Sequence, residues 1–252
     1  MTQDNQRRRA ELARGLAATR ERIAAACAAA GRSPAEVALV AVTKTYPATD
    51  VVLLADLGVA DIGENRDQEA APKAAEVAAA GVTVRWHFVG QLQRNKCRSV
   101  VRYADVVHSV DSVRLARTLA DAAARLRDRP LDVLVQVSID GDERRGGALA
   151  TGSGGTLTPQ LAADRSLAAT ADAVAAGSAL RLRGVMAVAP LAWRPEDAFA
   201  RLAEIAADLR AEHPKAVAVS AGMSADLDAA IRYGATHVRI GSALLGKRPR
   251  VG

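Results

Sequence analysis

The chain has 252 residues, half of them apolar, which is enough for one large core. Its 34 basic residues against 28 acidic ones leave a net charge of +6, yet aromatics make up only 3% and the arginines are scattered, which argues against a nucleic-acid stacking surface. Cys27 and Cys97 lie far apart and support neither a disulfide framework nor a zinc site, the amino terminus is polar, and no apolar run reaches membrane-spanning length. The expectation is a cytoplasmic protein that binds neither nucleic acid nor membrane.

Residues 6–30 read as an amphipathic helix, with Leu12, Leu16, Ile23 and Cys27 on one face, Arg7–Arg9 on the exposed face and Gly31 at the stop. Ser33-Pro34-Ala35-Glu36 has capping-box spacing, so residues 1–35 form an N-terminal helix and turn. Val37–Val42 is an unbroken apolar run rich in valine, the pattern of a strand buried on both faces. Lys44 follows its end, and Pro47 cannot continue the ladder. Thr49-Asp50 then caps a helix with Val51, Leu54 and Leu57 inward, ended by Gly58.

The alternation repeats. Strand-like runs recur at Val59–Ile62, Val82–Val89, Val106–Val110, Leu131–Ile139, Leu180–Val188, Ala216–Val219 and His237–Ile240. Helical patterns separate them at Gln68–Ala80, Lys96–Tyr103, Ser112–Leu126, Pro159–Ala176, Pro195–Ala211 and Ala225–Ile231. Eight strands alternating with helices predict an α/β fold, a single (β/α)8 TIM-type barrel with an extra N-terminal helix, spanning residues 1–252 as one domain. A doubly wound open sheet is the runner-up, but no Gly-rich fingerprint follows the first strand. Residues 140–158, rich in Gly and polar side chains, read as a flexible loop on the active face.

In such a barrel the site lies at the carboxyl ends of the strands. Lys44 there reads either as a cation reaching solvent or a carboxylate, or as an amine kept partly neutral to attack a carbonyl. The loops Ser220-Ala221-Gly222-Met223-Ser224 and Arg239-Ile240-Gly241-Ser242 end strands seven and eight. Glycine lets the backbone approach an anion, serine adds a donor, and each loop leads toward a helix. Either loop alone is an ordinary turn; the pair, opposite a strand-end lysine, reads as a phosphate site. An aldehyde for the lysine and a phosphate for the loops together describe pyridoxal 5′-phosphate.

At this point the chain resembles the pyridoxal phosphate homeostasis proteins, whose fold is similar to the N-terminal barrel of alanine racemase. The resemblance runs from Val37 to Arg248. It rests on Val-Thr-Lys-Thr-Tyr-Pro, Ile-Gly-Glu-Asn-Arg-Asp-Gln-Glu, Trp-His-Phe-Val-Gly-Gln-Leu-Gln-Arg-Asn-Lys, His-Ser-Val-Asp, Arg-Gly-Val-Met, Ser-Ala-Gly-Met-Ser-Ala-Asp and Val-Arg-Ile-Gly-Ser, in order. It implies Lys44 at the Schiff-base position. It also implies Ser220, Gly222, Met223, Ser224, Gly241 and Ser242 in the phosphate cradle, Arg239 facing the pyridine nitrogen and Asn65 near the ring. His87 and Met186 are candidates for the pocket wall. A guanidinium only donates, so the ring atom it faces must stay an unprotonated acceptor, which disfavours chemistry at an amino-acid α-carbon. The family's frequent Glu-x-x-Lys-like run after strand five is here Glu143-Arg144-Arg145-Gly146, without the lysine, and Gly152–Gly155 lengthens that loop.

The implied function is a monomeric carrier or buffer in vitamin B6 homeostasis, handing pyridoxal phosphate to apo enzymes. The alternative is an amino-acid racemase-like enzyme. Racemases append a second domain and oppose the lysine with a partner tyrosine, whereas this sequence runs out soon after strand eight and places Tyr46 away from Lys44. A barrel acting on another phosphorylated metabolite, with Lys44 as a clamp, is a third reading. His108 reads equally as a pocket or a core residue. Glu64 reads as an ion-pair carboxylate and Glu69 as a helix-start one, and no histidine has metal spacing.

Overall fold

The computed structural model describes residues 3–142, 146–150 and 157–246. Its strands are β1 (Ala38–Val42), β2 (Asp61–Glu64), β3 (Arg85–Phe88), β4 (Val106–Val110), β5 (Leu131–Ser138), β6 (Ala148–Leu149), β7 (Leu180–Met186), β8 (Ala218–Ser220) and β9 (His237–Ile240). Eight of them close a ring in the order β1–β2–β3–β4–β5–β7–β8–β9, with β9 returning to β1 and every pairing parallel. This is the (β/α)8 barrel expected from the apolar runs; each run contains one barrel strand except Val59–Ile62 and Ala216–Val219, which overlap β2 and β8.

The helices are α1 (Gln3–Ala29), α2 (Ala48–Asp56), α3 (Asp67–Ala79), α4 (Cys97–Tyr103), α5 (Val113–Leu126), α6 (Pro159–Asp164), α7 (Leu167–Ala175), α8 (Pro195–Glu212), α9 (Leu227–Arg232) and α10 (Ser242–Leu245). One apolar cluster joins the outer faces of β4, β5 and β7 to α4, α5, α7 and α8. A second joins α1 and α2 to β1, β2 and β9. The helix α1 lies against α10 so closely that a Cβ on Gly15 would fall 2.1 Å from the Leu244 carbonyl oxygen.

Three local expectations change. The segment 140–158 contains the strand β6, which pairs with Val137 and Ser138 where β7 has peeled away. A Cβ on Gly146 would lie 3.6–3.8 Å from the side chains of Gln136, Asp111 and Gln91, so Gly146 itself lies against β5 and the ends of β3 and β4. Residues 143–145 and 151–156, with the expected features on them, and Arg248 lie outside the described residues. The single helix expected at Pro159–Ala176 is two, because the Ser166 side chain accepts from the Ala169 N–H and starts a new one. Helix α2 begins at Ala48 with no side-chain cap. Asp50 instead takes a fork of hydrogen bonds from Arg8, whose guanidinium also lies over the Tyr46 ring, so Arg8 is not a solvated charge. The Ser33 capping box forms as expected.

Candidate functional site

The end of β1 is fixed on both sides of Lys44. Thr43 donates its N–H to the Gly63 carbonyl, and its own carbonyl accepts from the Tyr46 N–H and from Lys73 Nζ, the latter at 2.8 Å. Thr45 sits in the left-handed region with φ 69°, a cost for a β-branched residue, and its N–H is held by Glu69 Oε2 at 3.1 Å. Between them the Lys44 side chain is partly buried, with no hydrogen-bond or ion-pair partner among the described residues. Glu64 is not that partner: its Oε1 takes Lys73 Nζ and Thr43 Oγ1, each at 2.6 Å. Tyr46 turns away because the strand has ended, and its hydroxyl donates to the Gly246 carbonyl at 2.7 Å.

Strands β8 and β9 bring the two candidate loops beside β1. Arg239 is buried opposite Val40 of β1, and its N–H donates to the Gly222 carbonyl at 2.9 Å. Its guanidinium donates through Nη1 to Ser220 Oγ at 2.8 Å and through Nη2 to the Ala187 carbonyl at 2.9 Å. Both acceptors are neutral, and no carboxylate ion-pairs with it among the described residues. Burial draws the group down to about 10, which still leaves it cationic at neutral pH. A buried cation with no ion-pair partner and only the lesser attraction of Asp226 to offset its burial is a costly arrangement, and one that an acceptor arriving in the mouth would relieve.

Gly222 has φ +90°, and a Cβ there would come within 2.7 Å of the Ala230 side chain. Only glycine fits, as expected for a backbone pressed close to something. Met223 is exposed and gives its N–H to Asp226; Ser224 is partly exposed, Ser242 exposed, and Gly241 lies against Val42 of β1. The extra helix braces both loops: Arg22 bonds the Ser224 carbonyl and Asp228, and Arg8 bonds the Leu245 carbonyl. That role was not visible in the sequence, where nothing distinguishes Arg22 from the other charges of the helix.

The remaining candidates separate. Asn65 directly follows β2 and lines a cleft of about 460 Å³ with Gln68, Gln91 and Lys96. Met186 is buried with Val106, Leu134 and Ala218 in the barrel interior. His87 is also buried, its ring turned down the barrel to Asp61 at 2.7 Å and across to His108 at 2.8 Å. His108 in turn reaches Ser220 Oγ at 2.9 Å, so the Ser220 hydroxyl is engaged in the core behind Arg239. Lys44, Asn65, Arg239 and the two loops thus gather on the neighbouring strands β2, β1, β9 and β8, while His87 and Met186 lie deeper. Among the described residues no cluster of His, Cys, Asp or Glu is placed to hold a metal ion, and no helix is long and apolar enough to cross a membrane.

Comparison with known proteins gives a consistent set of likenesses. The family described as alanine racemase, N-terminal domain, matches residues 15–249. A pyridoxal phosphate homeostasis protein of Mycobacterium leprae is 43% identical over 95% of this chain and 93% of its own length. One from Escherichia coli K12 is 39% identical over 94% and 97%. Among solved structures, PipY of Synechococcus elongatus, with PLP bound, superposes with a TM-score of 0.74 at 31% identity, covering 93% of this chain and all of that one. Alanine racemase of Corynebacterium glutamicum shares the fold, with a TM-score of 0.64 at 16% identity, over 97% of this chain and 62% of the racemase.

Proposed function

This chain belongs to the pyridoxal phosphate homeostasis protein family, and from that membership we propose that it binds pyridoxal 5′-phosphate, with Lys44 as the Schiff-base amine, and stores or delivers the cofactor without turning over amino acids. The observation that carries the reading is Lys44 itself: a partly buried lysine at a strand end, with rigid neighbours and no partner of its own among the described residues, in the same mouth as a buried arginine with no ion-pair partner among them.

The residues suit the group. Pyridoxal phosphate supplies an aldehyde open to a primary amine, an acceptor nitrogen on its ring and a dianionic phosphate. Lys44 is the amine, held by the anchored carbonyl of Thr43 and N–H of Thr45. Arg239 presents donors only, so it pairs with the ring nitrogen in its unprotonated form. Gly222, Met223, Ser224, Gly241 and Ser242 cradle the phosphate, with Ser220 behind Arg239, and Asn65 borders the ring. A cationic donor at the ring nitrogen weakens the ring as an electron sink, which favours holding the cofactor over reaction at an α-carbon. The two buried free cysteines, Cys27 and Cys97, suit a reducing cytoplasm, and we take the working form as a monomer that serves apo enzymes.

The test is the absorption spectrum after addition of pyridoxal phosphate, before and after borohydride, on native protein and on Lys44→Ala. A visible-range band, trapped by borohydride on Lys44 and lacking in the variant, supports the reading. An unchanged band in the variant places the attachment elsewhere. Racemisation of several amino acids at a rate abolished by Lys44→Ala overturns the carrier in favour of an enzyme.

A further inference from the structure

Behind the mouth, the barrel interior carries polar side chains where such barrels usually pack branched aliphatic ones. Asp61 Oδ1 lies 2.7 Å from His87 Nε2, His87 Nδ1 lies 2.8 Å from His108 Nε2, and His108 Nδ1 lies 2.9 Å from Ser220 Oγ, which also accepts from Arg239. His87, His108 and Ser220 are buried. Asp61, at the start of β2, lines a cleft of about 450 Å³ together with Arg20, Pro34 and Ala60, at the end of the barrel opposite Lys44.

The proton positions along this row are not free. Arg239 has donors only, so Ser220 Oγ accepts from it. An ionised carboxylate only accepts, so His87 carries its proton on Nε2 toward Asp61. Neutral His87 then has a bare Nδ1, so His108 carries its proton on Nε2, and the bare Nδ1 of His108 takes the Ser220 hydrogen. Every hydrogen points the same way, from Arg239 toward Asp61. The opposite order, with His87 doubly protonated, puts two donors on Ser220 and leaves its hydroxyl hydrogen with no acceptor in the row.

We propose that Asp61, His87, His108 and Ser220 form a hydrogen-bonded file of single polarity that positions Arg239 and links it to the solvent-open carboxylate at the far end of the barrel. What Arg239 faces rests on the pyridoxal-phosphate reading above; the file itself does not. Its charged and titratable surroundings are few. Arg85 and Arg183 reach in from β3 and β7 and are held by Asp132 of β5 at 2.7 and 3.7 Å. His237 of β9 stands with its ring 6.3 Å from both file histidines, its Nδ1 bonded to Thr236. Burial, with the positive field of Arg239 added, holds His108 well below the ordinary imidazole range; burial is also the largest influence on Asp61 and raises it, but the His87 hydrogen bond together with nearby positive groups such as Arg85 holds it below its ordinary value. A carboxylate at the end of a histidine row selects the tautomer of its neighbour, and here the selection propagates to a residue that Asp61 does not touch.

The experiment uses the full-length protein labelled with ¹⁵N-histidine and long-range ¹H–¹⁵N spectra near neutral pH, without cofactor. His87 and His108 are both expected as neutral Nε2–H tautomers in the native chain. In Asp61→Ala the row loses its terminal acceptor, so the His108 nitrogen shifts are expected to move as the bonds along the row weaken; Asp61→Asn, which can still accept through Oδ1, is expected to move them less. A native His108 protonated on Nδ1, or His108 shifts unmoved in both variants, overturns the file. A purely structural role for Asp61 lowers the melting temperature and leaves those nitrogens in place.

Pyridoxal phosphate is then added, and the pH dependence of its absorption band is compared. The midpoint is expected to differ from native by about one pH unit in the variants, a tenfold change in the proton equilibrium. Moved His108 shifts with an unmoved band mean that the coupling stops short of Arg239, and the proposal fails there. If no band forms with any of these proteins, the cofactor reading falls, and the file is judged on the histidine nitrogens alone.

Discussion

Lys73 and Glu64 form an ion pair with their charged atoms 2.6 Å apart and both side chains buried, and Lys73 gives a second hydrogen bond to the carbonyl of the residue before Lys44. Burial pushes the Glu64 carboxyl above its ordinary range even though Lys73 and Thr43 pull it down, so the pair does not fully offset its desolvation. Removing one partner strands the other. Lys73→Met is therefore expected to cost about 3–5 kcal/mol in urea denaturation, and the double variant Lys73→Met with Glu64→Leu less than Lys73→Met alone. Additive costs would mean that the two residues act independently.

The bracing of the mouth by the extra helix gives a second expectation. Arg22 reaches from α1 to the Ser224 carbonyl and to Asp228 at the edge of the loop after β8. The pair with Asp228 is exposed and contributes little to stability. Arg22→Ala should accordingly shift the melting temperature by only about a few degrees while weakening pyridoxal phosphate retention roughly five- to tenfold, the scale of one ordinary net hydrogen bond. Equilibrium dialysis against the cofactor measures this; unchanged retention would show that the loop holds its shape without α1.

Gly222 has no room for a side chain. With φ +90° and the Ala230 Cβ only 2.7 Å from a substituted methyl, Gly222→Ala combines backbone strain with overpacking. The expected cost is about 2–4 kcal/mol, with cofactor retention falling further than the stability loss alone explains. Gly81→Ala serves as a control. Gly81 also has positive φ, at 72°, but nothing lies within 4 Å of its methyl position, and it is remote from the mouth. It should lose stability through strain and keep its affinity.

The barrel was legible because parallel strands covered by helices on one side and filled on the other leave unbroken valine-rich runs, as in Val37–Val42 and Val106–Val110. Strand β6 was not, since Ala148 and Leu149 are two apolar residues inside a glycine-rich segment, and it is pairing with Val137 and Ser138 that makes them a strand. Lys44, Arg239 and the two Gly-Ser loops stood out because their residue types are unusual at strand ends. Asp61 and Lys73 did not, and His87 stood out only as a candidate for the pocket wall. An acid opening a strand, a histidine within one and a lysine on a helix are each ordinary, and their partnership exists only once β2 and β3 pair and α3 packs on the strand ends. Asp50 misled for the same reason: its cap position was local, but Arg8 of a distant helix outcompetes the N-terminus of α2 for it.

The pH dependence of stability follows from His237. Burial, with the positive field of Arg85 and Arg183, draws this imidazole down to about 4, against which Asp61 pulls only partly. Its folded value lies below the ordinary one near 6.5, so the unfolded chain binds the proton more readily. The neutral ring therefore costs nothing above pH 6.5, and stability is lost as pH falls from about 6.5 to about 4, by roughly 3 kcal/mol for this group. His237→Gln keeps a polar side chain beside Thr236 but cannot take up that proton. Urea denaturation at pH 7 and at pH 4.5 should show the native protein losing more stability between the two conditions than the variant, with most of that difference appearing below pH 6. Parallel losses in the two proteins would mean that His237 takes up its proton at the same pH in the folded barrel as in the unfolded chain, and burial among its neighbours would then weigh less on the ring than their geometry implies.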